Sequence, residues 1–299
     1  MRIALASSSR LALPILDAIL GAGHEICGII TTPDAPKGRG RELTASELTQ
    51  ALPNQPISKP ATNVDLAKVL EALKPELVVT IAYGRLIKSP ALTIPNFGWL
   101  NLHFSLLPAY RGAAPVQRAL LDGVSTTGVT VFKLDEGMDT GPIYTGAKVK
   151  LRGDETSGAL LDELSRLGAD EVIKSIAMIS RGELPTPQSG AASLAPKILK
   201  SEAQIGWSSR AETIERMVRA FQPAPGAWTN LRQERITITA ASLTEGVGAP
   251  GEIISVDPLV IACGQGALLI KKIQSGGRRE LDASEWVRGA RLSAGARFE

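Results

Sequence analysis

The sequence predicts an α/β chain, with an N-terminal Rossmann-like, mostly parallel, doubly wound sheet and a smaller C-terminal β-barrel of OB-like type. Three observations predict it. Residues 1–150 alternate short apolar runs with amphipathic stretches, the pattern of a parallel sheet covered on both faces by helices. A stretch rich in proline and small residues then interrupts the chain. Beyond it, short apolar runs between glycines read as the strands of a small barrel.

Element by element, Arg2–Ala6, Glu25–Thr31, Glu76–Ala82, Gly98–His103 and Gly128–Lys133 are apolar runs of strand length. Leu11–Leu20, Asp65–Leu73 and Pro115–Leu121 read as the helices between them. A long helix is expected from about Thr156 to Ser180, where Leu160, Leu161, Leu164 and Leu167 fall at helical spacing. Gly182 to Gly206 holds Pro185, Pro187 and Pro196 and reads as a linker. Ser209 and Glu212 then form a capping-box pattern ahead of Ile214, Met217, Val218 and Phe221. Arg235–Ala240, Gly251–Val256, Leu259–Ala262 and Ala267–Ile273 complete the set as short strands. The expected division is 1–182 for a first domain, 183–206 for the linker and 207–299 for a second, within a chain of 299 residues that can bury two cores.

Composition narrows the function classes. The hydrophobic share of 44% and the charged share of 21% are those of a globular protein. Aromatics make up only 4%, which argues against an RNA-binding face built from rows of stacked rings. A net charge of +3 permits a polyanionic partner without requiring one. Cys27 and Cys263 lie far apart in apolar runs and read as buried free thiols, which suits a reducing, cytoplasmic location. Leu11–Leu20 is too short, and too interrupted by Asp17, to be a signal segment or a membrane span. No membrane association and no obligate protein partner are expected.

The informative stretch runs from Gly98 to Pro108. Side chains alternate along a strand, so Leu100, Leu102 and Phe104 would share one face and Asn101, His103 and Ser105 the other. An amide, an imidazole and a hydroxyl in a row at a strand's end are costly to bury without partners. A lone histidine is more often a hydrogen-bonded core residue; Asn101 two positions away, at an expected sheet end, weighs against that here. His24, in a Gly-His-Glu turn, reads as structural. A second polar cluster, Asp135 to Pro142, forms a tight acidic loop that becomes part of a site only if the fold brings it to His103. There is no GxGxxG fingerprint, no Walker loop and no HExxH. Two cysteines and two histidines so widely separated do not make a common zinc site, so no metal is expected.

Asn101-x-His103-x-Ser105-Leu106-Leu107-Pro108, then Arg111-Gly112 and Met138-Asp139-Thr140-Gly141-Pro142, resembles the signature of the 10-formyltetrahydrofolate-dependent formyltransferases. Within that superfamily the chain is similar to the methionyl-tRNA formyltransferases. The similarity lies in Arg111–Gln117, the insert Thr32–Arg41, Ala82-Tyr83-Gly84 and the later Arg219–Pro223, and it covers essentially the whole chain. It departs at Ala6–Arg10, where the family usually has a Gly-Thr-Pro turn, so no contact is carried over from there. The resemblance implies formyl transfer from 10-formyltetrahydrofolate to the amino group of methionyl-initiator tRNA, with Asn101, His103 and Asp139 as the catalytic set. It implies a folate site formed by Ser105, Leu106, Leu107, Pro108, Tyr83 and Arg85, and contact of Lys37, Arg39 and Arg41 with the tRNA acceptor end. The second domain would bind tRNA. The nearest alternative is a formyltransferase for an amino-sugar nucleotide or a purine precursor, against which the basic insert and Ala113–Gln117 weigh. A catalytically idle RNA-binding module would not need Asn101 and His103 on one strand face.

Overall fold

The computed structural model describes residues 1–37 and 42–299, with only the backbone of Lys37; Arg39 and Arg41 of the expected tRNA contact lie outside the described residues. The chain clusters into two compact units. One comprises Met1–Pro115, Thr126–Lys150 and Leu161–Pro196, the other Val116–Ser125, Leu151–Leu160 and Lys197–Glu299.

The first unit contains strands β1 (Arg2–Ser7), β2 (Glu25–Ile30), β3 (Ala35–Lys37), β4 (Glu42–Thr44), β5 (Ile57–Ser58), β6 (Leu77–Ile81), β7 (Trp99–His103), β8 (Thr126–Lys133) and β9 (Ile143–Lys150). The helices along the same run of chain are α1 (Leu13–Gly21), α2 (Glu47–Ala51), α3 (Asn63–Leu73), α4 (Pro115–Asp122) and α5 (Ser157–Ser180). Seven strands form one sheet in the order β5-β2-β1-β6-β7-β8-β9. β5, β2, β1, β6 and β7 pair in parallel; β8 and β9 add antiparallel. β3 and β4 pair antiparallel with each other and, among the described residues, with no other strand.

The parallel strands read as unbroken apolar runs because helices cover both faces. On one face Ala4, Ala6, Val78 and Trp99 pack with Leu66 and Leu70 of α3. α3 starts at a capping box, where the Thr62 hydroxyl accepts from Asp65 N and the Asp65 carboxylate accepts from Thr62 N. On the other face α5 approaches closely: a Cβ on Gly168 would lie 2.5 Å from the Leu102 side chain. Ser165 Oγ also donates to Leu11 O at 2.6 Å. Each such core side chain, fully buried, is worth roughly 1.5–3 kcal/mol. The connections turn in opposite directions on either side of β1, which opens a crevice beyond the carboxyl ends of the central strands.

The second unit is built on an antiparallel sheet. It contains α6 (Ala211–Ala220), β10 (Ala227–Leu231), β11 (Glu234–Thr244), β12 (Ile253–Val256), β13 (Leu259–Ala262), β14 (Ala267–Ser275), β15 (Glu280–Asp282) and α7 (Ala283–Ala290). The order is β10-β11-β14-β13-β12, with β15 on β14. The chain end joins the two edges. Phe298 N donates to Gly251 O and Ile253 N to Ala296 O on the β12 side, while Asn230 of β10 and Glu299 exchange two backbone hydrogen bonds. Phe298 is buried between Trp207 and Trp286, at ring separations of 5.8 and 6.3 Å. Its burial fixes the closing segment in place.

One expectation fails locally. Ser209 does not cap α6; the N-cap is Arg210, without a side-chain cap bond, and Glu212 pairs with Arg210 instead. A tertiary contact supplies what the cap would have: Ala211 N donates to Gln265 O at 2.9 Å. Among the described residues, no helix is long and apolar enough to cross a membrane. Cys263 is buried, Cys27 partly so, and both are free.

Candidate active site

β7 runs through the middle of the sheet and delivers its polar face to the crevice. Trp99 and Leu100 are buried along the strand, Asn101 is half-buried and His103 is 5% exposed. Asn101, His103 and Asp139 line a single cavity of about 500 Å³. Its other walls include Ala82, Tyr83, Gly84, Arg85, Leu86 and Met138.

His103 is held by a hydrogen bond on one side and faces a carboxylate on the other. Its Nε2–H donates to Tyr110 O at 2.8 Å, which leaves the lone pair on Nδ1 facing the Asp139 carboxylate, 3.7 Å away. Burial pushes the imidazole below its ordinary 6.5, against the upward pull of the Asp139 charge and of the Tyr110 carbonyl. Burial thus favours the neutral ring, and a proton arriving on Nδ1 would complete an ion pair with Asp139.

Asp139 reaches His103 because the loop between β8 and β9 folds back over the end of β7. Its backbone is left-handed, with φ of 54°. Its Oδ2 accepts from Gly112 N at 2.7 Å. Two glycines of this cluster, Gly112 and Gly141, allow a close approach to backbone. A Cβ on Gly112, at φ 122°, would lie 2.8 Å from Ala195 O, and one on Gly141 would lie 1.8 Å from Lys133 O.

Asn101 differs from both. Its side-chain amide has no protein hydrogen bond among the described residues, and it faces the cavity. Tyr83 is 4% exposed, and its hydroxyl has no hydrogen-bond partner among the described residues. Burial raises its phenol pKa, only partly offset by the adjacent Arg85. Arg85 itself is turned to the wall, donating to Pro60 O and Ala61 O at 2.6 Å each.

The run after His103 goes elsewhere. Ser105, Leu106, Leu107 and Pro108 do not line the cavity. Ser105 is fully buried and donates to Ala109 O at 2.6 Å, while Leu107 N donates to Thr130 Oγ1 at 3.0 Å. These residues build the turn that places Tyr110. His24 stands apart, 3.3 Å from the chain's N-terminal nitrogen. Among the described residues, no group of three His, Cys, Asp or Glu could hold a metal ion.

Residues 1–176 match the formyl transferase family and residues 197–291 the formyl transferase C-terminal domain. The methionyl-tRNA formyltransferase of Acidothermus cellulolyticus is 41% identical, over 100% of both chains. The chain belongs to the formyl transferase family. Solved relatives share the fold at lower identity. HypX from Aquifex aeolicus in complex with tetrahydrofolic acid superposes with a TM-score of 0.70 at 18% identity, covering 96% of this chain and 47% of that one. Methionyl-tRNA formyltransferase from Clostridium thermocellum gives 0.60 at 17%, covering 83% and 95%.

In this formyl transferase one residue of the site has no sequence signal. Gln188, inside the proline-rich stretch read as a linker, hydrogen-bonds both the Asp139 loop and Arg111. Nothing in its composition or spacing sets it apart.

Proposed function

We propose that the protein transfers the formyl group of 10-formyltetrahydrofolate to the α-amino group of methionyl-initiator tRNA. The observation that carries this reading is the meeting of Asn101, His103 and Asp139 at one cavity in a chain matched end to end by a methionyl-tRNA formyltransferase.

The residues divide the work as follows. The amine nitrogen attacks the formyl carbon, and the carbonyl oxygen becomes an oxyanion. Asn101, whose amide is uncommitted, donates to that oxygen; one such donor is typically worth ~2.7–4 kcal/mol of barrier. His103, neutral and with its lone pair on Nδ1, takes the amine's proton. Asp139 stabilises the imidazolium so formed. Collapse of the intermediate breaks the carbon–N10 bond, and the proton passes to N10. The cavity wall of Tyr83, Leu86 and Met138 receives the folate, with the Tyr83 hydroxyl free to pair with it. Arg85 holds that wall through Pro60 and Ala61, and Ser105 to Pro108 act from behind the cavity.

The first 182 residues form the catalytic domain and 207–299 the tRNA-binding one, with 183–206 between them. Lys37, Arg39 and Arg41 contact acceptor-arm phosphates. On that reading Arg39→Ala weakens tRNA binding and flattens the log–log salt slope by somewhat under one unit, leaving folate binding unchanged. An unchanged slope would remove the arm from the interface.

The deciding assay offers 10-formyltetrahydrofolate with charged initiator tRNA in one reaction and with an amino-sugar nucleotide in another. Formyl-methionyl-tRNA is the expected product. Formylation of the sugar alone would move the protein to the other branch of the family.

A further inference from the structure

We propose that Gln188 is a positioning residue for formyl transfer: its single amide joins Arg111 to the backbone of the loop that presents Asp139 to His103. This rests on the formyl-transfer reading above.

Every hydrogen-bonding capacity of the side chain is used. Its Nε2 donates to Asp139 O and to Gly141 O, both at 2.8 Å. Its Oε1 accepts from Arg111 Nε at 3.2 Å and Nη2 at 2.5 Å. Both partners matter to the catalytic pair. Asp139 sits at φ 54°, a left-handed conformation that persists only where its surroundings hold it. Arg111 lies between Tyr110, whose carbonyl holds His103, and Gly112, whose N–H holds the Asp139 carboxylate. Gln188 therefore clamps the two segments whose separation sets the 3.7 Å between His103 Nδ1 and Asp139 Oδ2.

The clamp is itself anchored on both sides. Thr186 and Ile143 exchange backbone hydrogen bonds of 2.7 and 2.8 Å. Arg111 N donates to Ser193 O at 2.9 Å, and Ala195 N to Arg111 O at 2.7 Å. Gln188 does not line the cavity, so it acts through Asp139 and not on the substrate.

Two variants separate its halves. Gln188→Glu keeps an acceptor for Arg111 but turns carboxylate oxygens toward two carbonyls; Gln188→Met keeps the shape and loses every bond. Each is assayed for formyl transfer to methionyl-tRNA, with thermal unfolding alongside. We expect kcat to fall about tenfold or more in both, with KM for folate donor and tRNA within about twofold, since a displaced catalytic group costs rate and not binding. In the Asp139→Asn background Gln188→Glu should add less than about a further twofold, because the two residues act in series. Parental kcat in both variants would overturn the inference. So would a full, additive loss in the Asp139→Asn background, or a loss accounted for by unfolded protein. An inactive parent would instead strike the proposed function, and the parent reaction shows which has failed.

Discussion

Two cavities in the described residues are lined by charged and polar groups, yet they use them differently. The one beyond β7 measures about 500 Å³ and the one beside α6 about 280 Å³. Beside α6, Arg219 and Glu155 are both bonded within the protein. Arg219 donates to both carboxylate oxygens of Glu215, at 2.6 and 2.9 Å, and to Glu155 O at 3.2 Å. The Glu155 carboxylate, 3% exposed, accepts from Arg152 N and Gly153 N at 2.6 and 3.0 Å. Beyond β7 the Asn101 amide and Tyr83 hydroxyl have no protein partner among the described residues, and Asp139 sits in a conformation its neighbours must enforce. Satisfied polar groups hold a structure together; unsatisfied ones await a ligand. Substitutions in the first cavity should therefore cost activity, and in the second stability.

The largest effect expected is on His103. His103→Ala should lower kcat by about 10²-fold or more while tRNA binding stays near parental. Near-parental turnover would remove His103 from the chemistry and leave it as a core residue.

Asp139→Asn comes next, with most activity lost in a folded protein. The pH profile sharpens the reason. Burial holds His103 below 6.5, so the acid limb of kcat should lie below that pH. The Asp139 charge favours the protonated ring, so its removal should move the limb to still lower pH. A limb that stays put in Asp139→Asn would show that the carboxylate does not act on His103.

The smallest effect is in the other cavity. Glu155→Gln should leave turnover near parental and cost about 2 kcal/mol of stability, the scale of hydrogen bonds to a charged group. Burial opposes the Glu155 charge, but the backbone N–H groups of Arg152 and Gly153, with the Arg152 charge, outweigh it and hold the pKa below 4.5. A depressed carboxylate stabilises the fold above its unfolded pKa, and that stabilisation is lost as pH falls through the folded value. Denaturant unfolding between pH 7 and about pH 3 should show a flatter acid decline in the variant. An inactive but fully stable Glu155→Gln would break the contrast between the cavities.

What could be read from residues alone follows the range of the forces involved. The central strands were legible because burial on both faces leaves uninterrupted apolar runs, as in β1 and β6. Asn101 and His103 were legible because a strand's period of two puts them on one face. The approach of Asp139 was not, since it depends on sheet order and on Gly112 N, 27 residues away. Gln188 was hidden by a proline-rich neighbourhood without periodicity. Ser105 to Pro108, placed at the folate site by resemblance, turn inward here, a direction that their residue types do not announce. The cap expected at Ser209 gave way to Gln265, a backbone partner that no local pattern announces.

The most direct measurement is the single-turnover rate of formyl transfer by Asn101→Ala at saturating substrates, with unfolding free energy measured on the same preparation. On the proposed mechanism this amide acts on the transition state, and it is bonded to nothing among the described residues. The rate should therefore fall by about 10²-fold or more while stability stays within about 0.5 kcal/mol of the parent or rises. A near-parental rate, or a loss of stability large enough to explain the loss of rate, would contradict the assignment of this cavity as the site of formyl transfer.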